Sequence, residues 1–416
     1  MSEPITPPSI GPNIKVLSGF AFPSDGFNQL EGLPLIRIRD LAGASTEVRF
    51  KGRFDPMYLI KNGDILIGMD GDFEVHRWGG ENALLNQRVC KVEAATPEID
   101  SGFLYWYLKP EIAAIHQRTP QTTVRHLSTK DLYVIPMPSI GSDEQAVAGQ
   151  ILDTIDTAIH ETEAIIAKLK AVKQGLLHDL LTRGIDANGE LRPPQTEAPH
   201  LYKPSPLGWI PKEWKMPQLY EVCTTIGDGV HYAVRRSAEG VPFLFVSCIR
   251  NGEIDWNASS YVSPDTYREI KIKGRPQKGL ILFTVVGSYG HAAQIDEEIN
   301  FGFERNIAFV MPSASVIQPR YLFYFLSSLV TKNQVEKLVI GNAQKVLTLG
   351  ALKGVLTLLP TFEEQIKISA ALDVMSTRIA NEIGYVKKMR VQKIALMDDL
   401  LTGRVRVTPL LEGDTP

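Results

Sequence analysis

Cysteine is almost missing from this sequence: Cys90, Cys223 and Cys248 are the only three among 416 residues. An odd, widely spaced set excludes a disulfide framework and fits a reducing, cytoplasmic setting. No two form a CxxC, and the 8 histidines are scattered. No metal site and no nucleophile–histidine set is therefore expected. No apolar run reaches the roughly 18 residues of a membrane span. The N-terminal MSEPITPPSIGPN lacks the basic and apolar blocks of a secretory signal. The dipeptide Gly-Lys never occurs, which removes a phosphate-binding GxxxxGK[ST] loop, and there is no HExxH. Asn-Pro-Pro and Asp-Pro-Pro are also missing, so the chain does not read as an amino-methyltransferase. Excess positive charge is lacking too: 44 basic residues face 47 acidic ones, a net charge of −3. This counts against a protein that coats nucleic acid by charge alone; for DNA binding the charge must be local or a partner must add to it. What remains is an ordinary globular composition, 44% hydrophobic and 22% charged, long enough for two or three domains.

The informative feature is duplication. Pro34–Ile38 parallels Pro242–Val246 at an offset of 208, and Gly63–Ile67 parallels Gly279–Phe283 at 216. Asn82–Val92 parallels Asn300–Val310, and Leu104–Leu108 parallels Leu322–Leu326, both at 218. Glu144-Gln145 matches Glu364-Gln365, and Asp179–Thr182 matches Asp399–Thr402, both at 220. Six matches in one order with a steadily rising offset describe two copies with small insertions in the second.

Each copy begins as a mixed region. Short β-rich runs (34–39, 64–69, 88–92) precede an aromatic helical stretch at 101–118, repeated at 318–338. A long helix then follows. Ser142 with Gln145, and Thr361 with Glu364, have capping-box spacing, and Gly184 and Gly403 stand where the helices should stop. The Pro- and Gly-rich stretch between the copies reads as a linker. The expected layout is a mixed domain at 1–140, a helix at 141–185, a linker at 186–214, a mixed domain at 215–360, a helix at 361–404 and a tail at 405–416.

Both helices carry a heptad seam. In the first it runs Leu152, Ile155, Ile159, Thr162, Ile166, Leu169, Lys173, Leu176; in the second, Leu372, Met375, Ile379, Glu382, Val386, Met389, Lys393, Leu396. The same two layers of each are polar. A parallel pairing would bring Lys173 against Lys393. An antiparallel pairing with residue numbers summing to 555 sets Lys173 against Glu382 and Lys393 against Thr162, and keeps every apolar layer apolar. An antiparallel two-helix coiled coil is therefore expected, roughly 60 Å long at 1.5 Å per residue, with the two mixed domains related by a pseudo-twofold axis. Two heads at a fixed separation suit a two-part DNA site.

At this point the chain resembles a known family. The matching features are the PMPSIGSDEQ and LLPTFEEQ openings of the helices, the DLLT closures, LSGFAFPSDGF, GLPLIRIRDL with GVPFLFVSCI, NGDILIG, and SPLGWIPKEWK at the start of the second copy. These resemble the specificity subunits of type I restriction–modification systems over nearly the whole chain. The resemblance implies an α+β protein with two tandem target recognition domains, each reading half of an asymmetric bipartite sequence in double-stranded DNA. It implies helices that set the spacing and dock two methyltransferase subunits, and a restriction subunit that can join. S-adenosylmethionine, ATP and Mg would be bound by those partners, and none by this non-catalytic chain; the target adenine would be flipped out for methylation. Two departures stand out. The first copy has no counterpart of Trp209–Trp214, and the second has Asp228–His231 where the first has Ser18–Phe22. The competing reading, a non-catalytic coiled-coil scaffold without DNA specificity, accounts for the helices and leaves the matched mixed domains without a purpose.

Bases are read by Arg, Lys, Asn and Gln, and phosphates are held by cations and backbone amides. The DNA-binding candidates in the first domain are the 70–80 loop (Asp70, Gly71, Phe73, His76, Arg77), then Asn86, Gln87 and Arg88, then Arg125 and His126. In the second they are His231, Arg235 and Arg236, then Ser288, Tyr289 and His291, Arg305 with Asn306, and Gln344 with Lys345. Lys271, Lys273, Arg275 and Lys278 form a candidate phosphate stripe. Asp70, Asp72 and Glu74 would repel phosphate if left unpaired.

Overall fold

The computed structural model describes residues 8–120, 124–270, 276–341, 345–408 and 410. The chain divides into two compact units, Met1–Ala164 with Ile383–Pro416, and Ile165–Glu382. Each unit therefore holds one mixed region, the first part of one long helix and the last part of the other.

The first unit is built on a four-stranded antiparallel sheet in the order Ile14–Ser18, Val89–Ala94, Ile65–Gly68, Val75–Arg77. The second unit repeats that order with Cys223–Asp228, Ile307–Pro312, Ile281–Thr284 and Ala292–Gln294. The ILIG run lacks polar alternation because both of its faces are covered. Ile65 and Ile67 enter the core beneath the helix Ser101–Arg118, while Leu66 packs with Trp78 and Leu85 on the other side. In the second unit Ile281 and Phe283 face the helix Pro319–Leu326, and Leu282 packs with Phe301 and Phe303. A parallel strand contact recurs as well: Leu35 opposite Leu84, and Phe243 opposite Gly302.

The aromatic helix of the first unit starts at an Asp100 cap that accepts from the Phe103 amide. Its counterpart, expected as one stretch over 318–338, is broken at Ser327–Ser328 into Pro319–Leu326 and Leu329–Leu338. The Ser328 hydroxyl donates to the Phe325 carbonyl and accepts from the Thr331 amide. It thereby ends one helix and caps the next.

The long helices are Ser142–Thr182 and Phe362–Leu401. Gly184 and Gly403 follow their ends at φ +68 and +71, where a Cβ would be strained. Among the seam positions Leu152, Ile159 and Ile166, and Ile379, Val386 and Met389, are buried. Ile155, Thr162, Leu169, Lys173 and Leu176, and Met375, Glu382, Lys393 and Leu396, are half-buried. Within the first unit the helix segments run antiparallel: Lys393 ion-pairs with Asp156, and Arg390 with Glu163. The Lys393 ammonium goes to Asp156 and not to Thr162, whose hydroxyl donates to the Ala158 carbonyl of its own helix. Lys173 lies over the Tyr324 ring, 5.6 Å from its centroid, in place of pairing with Glu382. The seam pattern treats two helices as isolated, whereas the mixed regions supply partners of their own.

Two further expectations change. The 186–214 stretch is folded: Tyr202–Ser205 and Gly208–Pro211 form a hairpin, and Ile210 and Trp214 enter the second unit's core. Its Pro and Gly content marks the turns, but Tyr202, Ile210 and Trp214 anchor it. The 405–416 segment is attached as far as residue 408. Val407 is buried and Arg406 and Thr408 bind Glu144.

Candidate nucleic-acid interface

The Thr361 hydroxyl accepts from the Glu364 amide at 3.3 Å, as the capping spacing predicts, while the side chains of the repeated Glu144-Gln145 and Glu364-Gln365 pairs act as buried locks. Gln145 accepts from the Asp100 amide and donates to the carbonyls of Glu98 and Ile140. Gln365 accepts from the Gln318 amide and donates to the Val316 and Pro360 carbonyls. Glu364 holds Arg192, the Ile185 amide and the Trp214 indole. Glu144 holds Arg406 and Thr408, which keep its carboxyl down at about 2.

A second repeated joint ties each mixed region to helix. Asp153 accepts from Arg77 at 2.9 Å and from the Trp106 indole at 2.8 Å. Lys393 lies over that indole, 4.7 Å from its centroid. In the second unit Asp373 accepts from Arg320 and from the Tyr324 hydroxyl, both at 2.6 Å, beneath Lys173. Burial, with Asp373 adding to it, pushes that hydroxyl up to about 12. Asp153 and Asp373 sit at the same offset as the two lysines, a signal the seam reading passed over because it weighed apolar positions.

At one end of the strands of each sheet four segments come together, and the same five backbone hydrogen bonds hold them in both units. Gly19 donates to Val89, Gln87 to Phe20, Met69 to Arg88, Leu127 to Met69 and Gly71 to Arg125. Their counterparts run from Gly229 to Ile307, Arg305 to Val230, Val285 to Asn306, Leu347 to Val285 and Gly287 to Lys345. Gly71 and Gly287 share a left-handed backbone, at φ +76 and +72.

The frame therefore gathers, in the first unit, Asp70, Gly71, Gln87, Arg88, Arg125 and His126. The carboxylates of the acidic loop have imidazole neighbours, although Asp72 is 89% exposed. Asp70 pairs with His126 at 2.6 Å and Arg88 at 3.4 Å, Glu74 meets His76 at 3.1 Å, and Asp72 lies 3.5 Å from the His116 ring without a proton to share there. Arg125 donates to His116, against which buried Phe73 packs edge-on. Three candidates turn away from solvent. Phe73 and Asn86 are buried, and Arg77 is engaged with Asp153, the Gly102 carbonyl and the Tyr105 ring.

In the second unit the frame gathers Arg305, Asn306 and Lys345 with the 286–291 turn. Ser288 is half-buried, Tyr289 packs on the core, and the His291 imidazole is pushed down by burial with Arg250 and Lys332 nearby. His231 pairs with Asp228 at 2.8 Å, and Arg235 and Lys278 are exposed. Arg236 lies over Phe243 and Phe245. Lys271, Lys273, Arg275 and Gln344 lie outside the described residues. Among the described residues no group of three or more His, Cys, Asp or Glu could hold a metal ion, and no helix is long and apolar enough to cross a membrane. Burial pushes the Cys90 and Cys223 thiols up to about 12, which makes them poor nucleophiles.

A family model described as the type I restriction modification DNA specificity domain matches residues 13–171 and again 211–385. The chain belongs to the type I restriction–modification specificity subunits. It is 31% identical over 363 residues to the EcoBI specificity subunit of Escherichia coli, covering 85% of this chain and 75% of that one. It is 26% identical over 361 residues to the MjaVIII specificity subunit of Methanocaldococcus jannaschii, covering 85% and 81%. Among solved structures, the type I S subunit from M. genitalium aligns over 96% of this chain and 98% of its own, with a TM-score of 0.59 at 16% identity. A chain from a structure of type I complex assembly and conformational transition aligns over 97% and 100%, with a TM-score of 0.53 at 16% identity. The structural likeness speaks for the fold, and the two matched segments make this a specificity subunit with two tandem target recognition domains.

Proposed function

We propose that each target recognition domain reads one half of an asymmetric, bipartite DNA sequence, and that the long helices set the gap and dock two methyltransferase subunits. The observation that carries this reading is the repeated five-bond frame with unlike side chains at like positions. Asp70 and His126 in the first unit correspond to Val286 and Val346 in the second. One mount with two sets of contacts is what two different half-sites require.

The chain's own part is recognition. S-adenosylmethionine belongs to the methyltransferase subunits, and ATP with Mg to a restriction subunit that joins for cleavage; the place of action is the cytoplasm. From Lys215 to Pro360 fifteen basic residues face twelve acidic ones. So small an excess supplies little salt-dependent affinity, and tight binding needs the partners' charge. The test is selection from a random duplex library by this chain co-purified with its methyltransferase subunit. Enrichment of a two-part motif with a fixed gap is expected. Recovery of no motif, with the complex intact, would favour the scaffold reading.

A further inference from the structure

The five-bond frame aligns two short turns residue by residue. Gln87-Arg88 leads into the strand Val89–Ala94, and Arg305-Asn306 leads into Ile307–Pro312. The carbonyl of Arg88 accepts from Met69 at 2.8 Å, and that of Asn306 from Val285 at 2.9 Å. Arg88 is therefore the counterpart of Asn306, and Gln87 of Arg305. The mounts are stiff. Asn86 and Val89 are buried on either side of the first turn, and Ile307 is fully buried after the second.

The turn side chains are free to act. Gln87, Arg88 and Arg305 are exposed and Asn306 is half-exposed. Among the described residues no side-chain hydrogen bond or ion pair occupies Gln87, Arg305 or Asn306. Arg88 makes a single contact, at 3.4 Å to Asp70, whose other oxygen is taken by His126, and it remains 59% exposed. Arg88 also holds φ +71, a left-handed backbone that a bulky residue rarely adopts. Strain of this kind persists where the surrounding structure fixes it, and it concentrates at functional sites.

All four side chains are of the types that pair with two atoms of one base edge: Arg with guanine O6 and N7, Asn or Gln with adenine N6 and N7. The order is reversed between units, amide then guanidinium in the first and guanidinium then amide in the second. Resting on the half-site reading proposed above, we infer that these two turns are the base-reading elements. Arg88 and Arg305 each take a guanine, and Gln87 and Asn306 each take an adenine, one turn per half-site.

The test is genome-wide adenine methylation in cells carrying the full complex with wild-type chain, R88A, R305A, N306A or the exchange Q87R/R88N. R88A is expected to make one guanine of one half-site degenerate, with about ten- to hundred-fold less discrimination there, while the other half-site stays intact. R305A and N306A do the same to a guanine and an adenine of the other half-site. The exchange reverses the order of purines read. Uniformly weaker methylation with an unchanged motif would make these phosphate contacts and overturn the inference, as would an unchanged methylome. Absence of any two-part motif with the wild-type chain would instead overturn the half-site reading beneath it. Co-purification of each variant with the methyltransferase subunit establishes that the assembled complex was tested.

Discussion

Replacing Glu364 with alanine probes the joint that secures the start of the second long helix. Its side chain is 7% exposed and pairs with Arg192, itself 11% exposed. The same carboxylate accepts from the Ile185 amide at 2.9 Å and the Trp214 indole at 3.1 Å. Removal leaves the Ile185 amide and the Trp214 indole buried without an acceptor, and a buried guanidinium whose remaining partner is the Arg183 carbonyl at 3.0 Å. Breaking one side of a buried pair costs about 3–5 kcal/mol, a large share of the roughly 5–15 kcal/mol that stabilises a domain. The assay is urea unfolding followed by tryptophan emission, since Trp214 is fully buried in the second unit. E364A should lower the midpoint of that unit's transition strongly. E364L/R192L should recover part of the loss, because the isolated charge goes with its partner. E144A should cost less, because Arg406 is 54% exposed and regains water. A loss under about 1 kcal/mol for E364A would refute the buried-lock account.

Three other predictions concern the same machinery. The Glu144 carboxyl is held at about 2, below its usual value, by Arg406 and Thr408. Its contribution is therefore complete above about pH 4.5 and lost as pH falls toward 2, so urea midpoints stepped through that window should fall less steeply in E144Q. In G19A and G229A the new Cβ would meet the Asn86 carbonyl at 1.9 Å and the Phe303 carbonyl at 2.2 Å. Thermal melting should show each costing at least about 1–3 kcal/mol, whereas G71A, with nothing within 4 Å, should cost only its left-handed strain of about 1–2 kcal/mol. K173M and K393M each remove a cation from an aromatic face, worth about 0.5–2 kcal/mol. Chemical unfolding should find K393M the more damaging, because Lys393 also pairs with Asp156.

The periodic and repeated features of this fold were legible in the sequence; its partnerships were not. A 3-4 spacing from Leu152 to Leu176 describes which face is covered, because burial follows helical geometry. It does not say what covers it, and so Lys173 reads as a seam charge when its partner is the Tyr324 ring. The same limit applies to the 318–338 stretch, where Ser328 ends one helix and begins another through side-chain hydrogen bonds that composition does not encode. At the candidate interface, residue type pointed to Arg77 and Arg88 alike. Only tertiary structure separates them: Arg77 is spent on Asp153, while Arg88 stands on an exposed, left-handed turn. The acidic 70–74 loop reads as repulsive from its own sequence, because the groups that engage Asp70 arrive from residues 88 and 126.

The most direct test of the central claim is single-molecule mapping of adenine methylation across the host genome, with and without this gene, while the methyltransferase partner is expressed. Loss of methylation at one asymmetric, two-part motif with a fixed gap is the predicted result. A methylome that does not change would contradict it.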